Sequence, residues 1–504
     1  MDGYLLGIDI GGTVAKVSVF DVTGHCVATM GEVIPTQSPS VGYVERDMGV
    51  LWAAVCQTIR QTLAGSNIDA RRILAIAPCG HGKGLYALDG KGRPACNGIL
   101  SADSRARAIV ASAYGDDYHG RLYPRLKQPL WPGHTSSLAL WIKRNNPPLY
   151  ASIRWVLSCK DYIRYKLTGH LACEYTDLSG SGLCDPTEKA LSRDLLEQMG
   201  LGDLYDRLPE VVSSTAICGG VTREASRLTG LVEGTPVAGG LFDVCSCAVS
   251  SGVLSDEDCF AIAGTWSIVG FLSRCAQVGE GLVDEYAVQK HCVEGFWMVH
   301  EASPNSASNL DWCIRTFLKP LIQEKALFGE NLYACCDRLV AQTTSPSSQL
   351  VFSPLLYGDN SAKGIAASLI GMDVTTDLSK VLLAVYEGIV FHHKGLFEKL
   401  ARTGQRPHMV RFIGGLTRSE PWMQMYADCL DLPVAVMDTQ EAGTHGAALC
   451  AGVAVGVYRD FNEAVQKGVR VQRIIEPERE AVEVYQEKYR QYLEAQRAME
   501  GFWT

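Results

Sequence analysis

Apolar and polar positions along the chain repeat one pattern twice, near the start and again at the middle. Tyr4 to Ile8 reads as a buried strand, and Lys16-Val17-Ser18-Val19-Phe20-Asp21 alternates with the two-residue period of a half-buried return strand. Between them stands Ile8-Asp9-Ile10-Gly11-Gly12-Thr13. Cys259 to Ala263 and Ile268 to Leu272 repeat the design around Ile262-Ala263-Gly264-Thr265-Trp266-Ser267. Glycine lets a backbone approach phosphate oxygens closely, while its N–H and the threonine hydroxyl donate hydrogen bonds. One such turn is ordinarily just a hairpin. Two with matched flanks, half a chain apart, point to two lobes gripping one phosphate chain.

Between the hairpins the periodicity shifts. Leu51, Val55, Ile59 and Leu63 recur at four-residue spacing and predict a helix from Met48 to Leu63. Ile73 to Ala77 predicts a strand leading into the glycine-rich turn Cys79 to Gly84. Trp155 to Ser158 predicts a strand end before a helix from Lys160 to Leu167, stopped by Thr168-Gly169. Pro236-Val237-Ala238-Gly239-Gly240-Leu241-Phe242-Asp243 brings a buried strand to a glycine pair and an acid. Beyond the second hairpin, helices are predicted at Leu378 to Leu400 and Glu420 to Cys429, with a strand at Met409 to Ile413 between them. Gly446 to Tyr458 reads as a tightly packed helix, and Glu476 to Met499 as a solvated one. This alternation is that of an α/β protein.

At 504 residues the chain exceeds what one core serves, so two domains are expected, with a boundary near Gly252 to Asp258. Its 46 basic and 55 acidic side chains give a formal net charge of −9 without a dense basic run, which argues against nucleic acid as a partner. No stretch is long and apolar enough to span a bilayer, and the N-terminus lacks a signal-peptide pattern, so a cytoplasmic location is expected. The 18 cysteines are scattered. Neither Cys245-Ser246-Cys247 nor Cys335-Cys336 has the spacing of a zinc or thioredoxin motif, so reduced, buried thiols are expected and structural zinc is not.

Phosphate chemistry has other sequence solutions, which this chain lacks. Both Gly-Lys pairs, at Lys83 and Lys91, are followed by glycine, so no P-loop is present, and no Gly-x-Gly-x-x-Gly opens a helix after the first strand. Asp9, ending the first strand, is placed to hold a hydrated Mg²⁺ facing phosphates, or to cap a turn. Asp243 follows a strand and two glycines, at the end of a strand where open α/β sheets bind ligands; it could take a proton from a hydroxyl or cap the helix-compatible run Val244 to Ser250. His81, Lys83 and Asp103 lie in polar turns suited to a polyhydroxylated ligand, and each also has a plain structural reading.

Taken in order, these segments resemble the FGGY carbohydrate kinases over essentially the whole length. Asp9 to Lys16 is similar to the family's first phosphate motif, Ala263-Gly264-Thr265-Trp266-Ser267 to its second, and Gly239 to Asp243 to its catalytic aspartate segment. Asp161-Tyr162 with Leu167-Thr168-Gly169 resembles a further signature. Gly414-Gly415-Leu416-Thr417-Arg418-Ser419, with Glu441-Ala442-Gly443 and Gly446-Ala447-Ala448, resembles the adenosine loops. The resemblance implies two ribonuclease H-like lobes of the actin and hexokinase type, with ATP and a sugar in the cleft between. It implies a lobe for sugar and base over residues 1–254 and an adenosine lobe over 255–504.

The same resemblance implies site residues. Asp243 is the general base, and Asp9 with Asp243 holds Mg²⁺ largely through water. Gly12, Thr13, Lys16, Gly264 and Thr265 serve the phosphates, and Gly414, Gly415 and Ser419 border the adenosine. His81, Lys83, Asp103 and Trp131 face the sugar. Gly12 and Val14 replace hydroxyl residues common in the first motif, and Leu416 replaces a usual glycine. The segments Gly80 to Gly84, Gly98 to Ser101, Leu130 to His134 and His300 to Pro304 lean towards members acting on L-xylulose. The implied activity is ATP-dependent phosphorylation of a ketopentose, with D-xylulose, L-ribulose or glycerol as alternative acceptors, a nucleotide-driven scaffold as a different class, and a homodimer as a plausible assembly.

Overall fold

The structure is a computed structural model describing residues 3–113, 118–188, 191–264, 266–276, 286–318, 331–343, 349–358, 366–439 and 441–503. The chain builds two compact units. Unit 1 comprises Met1–Leu254, Leu272–Val299 and Glu441–Val469; unit 2 comprises Ser255–Phe271, His300–Gln440 and Arg470–Thr504. The first passage between them follows Leu254, but the chain passes back at Leu272 and again at Glu441, so neither unit is one continuous stretch.

In unit 1 the first hairpin is β1 (Tyr4–Ile10) and β2 (Val14–Asp21), joined by β3 (Cys26–Val33). Helix α1 (Met48–Ser66) begins at Asp47, whose Oδ1 accepts the N–H groups of Gly49 at 2.7 Å and Val50 at 2.8 Å. Its predicted apolar face is buried through Leu51, Val55 and Ile59. Next come β4 (Ile73–Gly80), α2 (Cys159–Thr168) and α3 (Tyr175–Ser179), then β5 (Ile217–Gly220), β6 (Pro236–Ala238), β7 (Leu241–Phe242) and α4 (Asp243–Ser251). The sheet order is β5-β6-β4-β1-β2-β3, with β7 paired to β4. β1 runs antiparallel to β2 and parallel to β4. The strand ends of β1, β4 and β7 therefore bring Asp9, Gly80 and Phe242 to one edge.

Unit 2 repeats the plan. β8 (Cys259–Ala263) and β9 (Ser267–Ser273) form the second hairpin, followed by α5 (Leu378–Ala401), β10 (Val410–Ile413), α6 (Glu420–Leu430) and β11 (Val434–Met437). β8 is antiparallel to β9 and parallel to β10, which is parallel to β11. The chain then returns to unit 1 as α7 (Ala442–Ala454), before β12 (Val471–Ile475) pairs antiparallel with β11 and α8 (Arg479–Trp503) ends the fold. Each sheet thus has an antiparallel hairpin whose first strand pairs in parallel with a later strand, the ribonuclease H-like arrangement, and each unit encloses its own apolar core. Among the described residues no helix is long and apolar enough to cross a membrane.

Gly443 and Gly446, on α7, fall within unit 1. A Cβ on Gly446 would overlap the carbonyl oxygen of Ser246, so the glycine lets α7 lie directly against α4.

Candidate active site

The centre of unit 1 is a set of carboxylates at strand and helix ends. Asp9 lies opposite Lys16 on β2 and Cys79 on β4. Burial pushes its carboxyl up to about 6, against a Cys79 hydrogen bond and the Lys16 charge, which pull it down. Gly443 at the start of α7 is so close that a Cβ there would overlap Asp9 Oδ2. Asp243 is the first residue of α4, and its Oδ1 accepts the Val244 N–H at 2.7 Å. Burial, then the like charge of Asp9, push its carboxyl well above the usual carboxylate range; the Val244 N–H and the Lys83 ammonium act the other way. Asp243 is not the N-cap expected as its alternative role: that position is Phe242, which makes no side-chain cap bond, and the Val244 contact uses Oδ1 of Asp243 alone.

The supports of Asp243 come from residues the sequence left unexplained. Lys160 on α2 is fully buried, with its ammonium 2.8 Å from Asp161, 3.2 Å from Glu174 and 3.7 Å from Asp177. Glu174 accepts the Thr176 hydroxyl at 2.7 Å, and that hydroxyl accepts the Phe242 N–H at 2.9 Å, one residue before Asp243. Arg164 ties the same cluster to the Gly239 carbonyl at 2.7 Å. Asp177 is buried and adds negative charge towards Asp243. The signature Asp161-Tyr162 pointed at this network without naming Lys160, Glu174 or Asp177.

The first glycine turn is braced from behind. Arg46, also fully buried, donates to the carbonyl oxygens of Gly11 and Gly12. The Gly11 N–H closes the turn on the Val14 carbonyl at 3.0 Å, while Gly12 and Thr13 are exposed. Lys16 is ion-paired with Glu441 at 2.7 Å. An arginine just before a helix cap reads as a surface residue in sequence, so Arg46 carried no signal.

Of the expected sugar contacts, His81 is buried, with Nε2 3.0 Å from the Tyr86 hydroxyl, and burial pushes it down to about 4, so it is neutral. Lys83 holds a left-handed backbone, φ 63°, after Gly82. Trp131 donates from Nε1 to the Ser101 carbonyl at 2.8 Å. Asp103 is engaged on both oxygens, by the Val44 N–H at 2.7 Å and by Arg105 from Nε at 2.9 Å and Nη2 at 2.8 Å.

In unit 2, Gly264 closes β8 and its carbonyl accepts the Ala307 N–H at 3.1 Å; Thr265 lies outside the described residues. Gly414 has φ 108°, and a Cβ there would stand 2.5 Å from the Ala263 carbonyl oxygen, so the β10 turn requires glycine. Gly415 has open space where a Cβ would stand, whereas Leu416 is buried. Ser419 caps α6, its Oγ accepting the Trp422 N–H at 3.3 Å and donating to Asp337 at 2.6 Å. Tyr386 donates to the same Asp337 oxygen at 2.8 Å and stacks on Trp422 with ring centres 4.0 Å apart.

Known proteins share this plan. The chain matches the N-terminal domain of the FGGY family of carbohydrate kinases over residues 4–250 and its C-terminal domain over residues 259–455. It is 35% identical over 502 residues, 100% of this chain and 98% of the relative, to an L-xylulose/3-keto-L-gulonate kinase of Escherichia coli. A probable L-xylulose kinase of Pasteurella multocida is 35% identical, with 99% of each chain covered. The crystal structure of a ligand-bound xylulose kinase from Lactobacillus acidophilus superposes with a TM-score of 0.88 at 21% identity, covering 99% of this chain and 98% of that one. The chain belongs to the FGGY family of carbohydrate kinases.

Proposed function

We propose that the protein transfers the γ-phosphoryl group of ATP to the terminal hydroxyl of a ketose, L-xylulose to L-xylulose 5-phosphate, with Asp243 as general base. The observation that carries this reading is Asp243 at the start of α4, beside Asp9, drawn back towards its charged form by Lys83 and held through Phe242 by the buried Lys160–Glu174–Thr176 chain. The choice of sugar rests on relatives: those named for L-xylulose are 34–35% identical, those named xylulose kinase 26–27%.

In this reading Asp243 accepts the proton of the sugar hydroxyl as its oxygen bonds to the γ-phosphorus and the bond to the β,γ-bridging oxygen breaks, releasing ADP. Asp9 and Asp243 fit a divalent cation, since the charge of Asp9 raises the cost of ionising Asp243. They would hold hydrated Mg²⁺, whose contribution when bound is to neutralise phosphate charge. Gly12 and Thr13 of the turn donate to phosphate oxygens, the Gly11 and Gly12 carbonyls being tied back by Arg46. Lys16 joins them on leaving Glu441. Gly414, Gly415 and Ser419 seat the adenosine. His81 as a neutral ring, Lys83 and Trp131 line the sugar, whereas Asp103 braces the turn through Arg105 and Val44.

Coupled ADP release across L-xylulose, 3-keto-L-gulonate, D-xylulose, L-ribulose and glycerol tests this. The highest kcat/KM is expected for L-xylulose. A preference for D-xylulose or glycerol overturns the sugar assignment, and ATP turnover indifferent to every acceptor overturns the kinase reading in favour of a scaffold.

A further inference from the structure

Cys245, His291 and Cys292 form a cluster outside the chemistry just described. One nitrogen and two sulfurs from these residues lie within 4.8 Å of one another, and among the described residues this is the one group of three or more such side chains placed to hold a metal ion. Cys245 and His291 are buried, at 0% and 2% exposure, and Cys292 is partly so. The Cys292 sulfur stands 3.9 Å from both ring nitrogens of His291. A tetrahedral zinc with Zn–S of about 2.3 Å and Zn–N of about 2.0–2.1 Å spaces its ligand atoms about 3.4–3.8 Å apart, so closure needs shifts of about 1 Å or less.

The supports are stiff on both sides. Cys245 is in the first turn of α4. His291 follows the strand Ala287–Lys290, whose Lys290 N–H donates to Ser179 Oγ at 2.9 Å, and the turn is closed by the His291 N–H bonding the Phe296 carbonyl at 3.3 Å. Nδ1 of His291 accepts the Val293 N–H at 3.2 Å. Coordination through either nitrogen gives up that one contact: at Nδ1 the cation replaces the N–H, and at Nε2 the ring proton moves to Nδ1.

We propose that Cys245, Cys292 and His291 bind one thiophilic cation, with Zn²⁺ the fit for two thiolates and an imidazole and a water completing the shell. Binding forms two metal–sulfur bonds and one metal–nitrogen bond and releases two thiol protons, leaving a site of zero net charge. Because Cys245 is two residues from Asp243 on α4, the cation fastens that helix to the 291–292 turn. The proposal does not depend on the kinase reading, and its test does not use activity.

The test uses the full chain in a Cys26→Ser/Cys275→Ser background, which removes the two exposed thiols, under anaerobic reducing conditions. Co²⁺ titration followed by thiolate-to-metal absorption should saturate at one equivalent, and Zn²⁺ should displace it with a Kd below about 10⁻⁷ M. Cys292→Ser and His291→Gln should each weaken Zn²⁺ binding by at least about 100-fold, more than loss of an outer partner costs. Both lie in a turn, and unchanged circular dichroism checks that they fold. Zn²⁺ should raise the melting temperature of the background protein and leave that of Cys292→Ser unmoved. Absence of saturable binding, binding that survives both variants, or tighter binding of Cu⁺ with no cobalt thiolate band overturns the Zn²⁺ site.

Discussion

The glycine turn of unit 1 and the glycine turns of unit 2 share a backbone plan and differ in what surrounds them. Around Gly11–Gly12 stand buried charges: Arg46 behind the turn, Asp9 and Asp243 in front, and Lys160 among three carboxylates beneath. Around Gly414–Ser419 stand a buried leucine, a stacked Tyr386–Trp422 pair and one carboxylate, Asp337, that two hydroxyls already occupy. The first setting is made to shift protonation states, because desolvation and like charge change the free energy of ionising. The second is made to offer shape and backbone donors. In the function we propose, one folding plan used twice serves proton chemistry in one unit and seats a nucleotide in the other.

The sharpest way to break that contrast is Asp243→Asn. Loss of general-base catalysis should lower kcat by about 10²–10⁴-fold with the sugar KM within a few-fold, as read from steady-state ADP release. Near-normal turnover would take proton chemistry away from unit 1.

Next in size is Lys160→Met. Removing this ammonium leaves Asp161, Glu174 and Asp177 buried without it, and breaking such a cluster costs about 3–5 kcal/mol in urea unfolding. The matching change in unit 2, Lys488→Met, affects a pair with Glu387 at 2.8 Å in which the lysine is 11% exposed, and should cost less than half as much. Equal losses would show that the charge cluster of unit 1 is no more critical than an ordinary ion pair.

Much of this was legible in the chain. The hairpins, α1, α2 with its glycine stop at Gly169 and the strand–glycine–Asp243 run all follow from local periodicity and turn chemistry, and they fall within a few residues of the expected bounds. What local pattern cannot carry is pairing across long loops. Arg46 reaches the Gly11–Gly12 turn, Glu441 reaches Lys16, and α7 lies in unit 1 although it follows most of unit 2 in sequence. Asp103 has a neighbour two residues on, Arg105, as one partner, but its other partner, the Val44 N–H, is brought to it by the fold. The Cys245–His291–Cys292 cluster escaped spacing rules for the same reason, since its members come from a helix and a distant turn.

Ser419→Ala tests unit 2 on a smaller scale. The variant loses the cap on α6 and the bond to Asp337, a cost of about 1 kcal/mol in stability. The KM for ATP should rise several-fold while kcat moves less, measured at saturating sugar. A fall in kcat with ATP KM unchanged would put Ser419 in the chemistry rather than beside the nucleotide.

The smallest effect compares two histidines, one in each unit. Burial holds both His81 and His392 down at about 4, with Arg46 adding to the effect at His81 and Lys399 at His392. An unfolded histidine titrates near about 6.5, so between about pH 4 and 6.5 the unfolded chain binds more protons than the native one. Their stability contribution is therefore full above about pH 6.5 and is lost as pH falls towards 4. Glutamine at either position should lower the slope of unfolding free energy against pH in that window by at most about 1.4 kcal/mol per pH unit, read from urea midpoints. His445, also near 4, keeps some slope in both variants. Equal losses at the two positions would mark burial as the cause in both units. A larger loss at His81 would show the charged surroundings of unit 1 acting on the ring, and no loss there would mean that His81 is already protonated in the folded protein and meets the sugar as a cation.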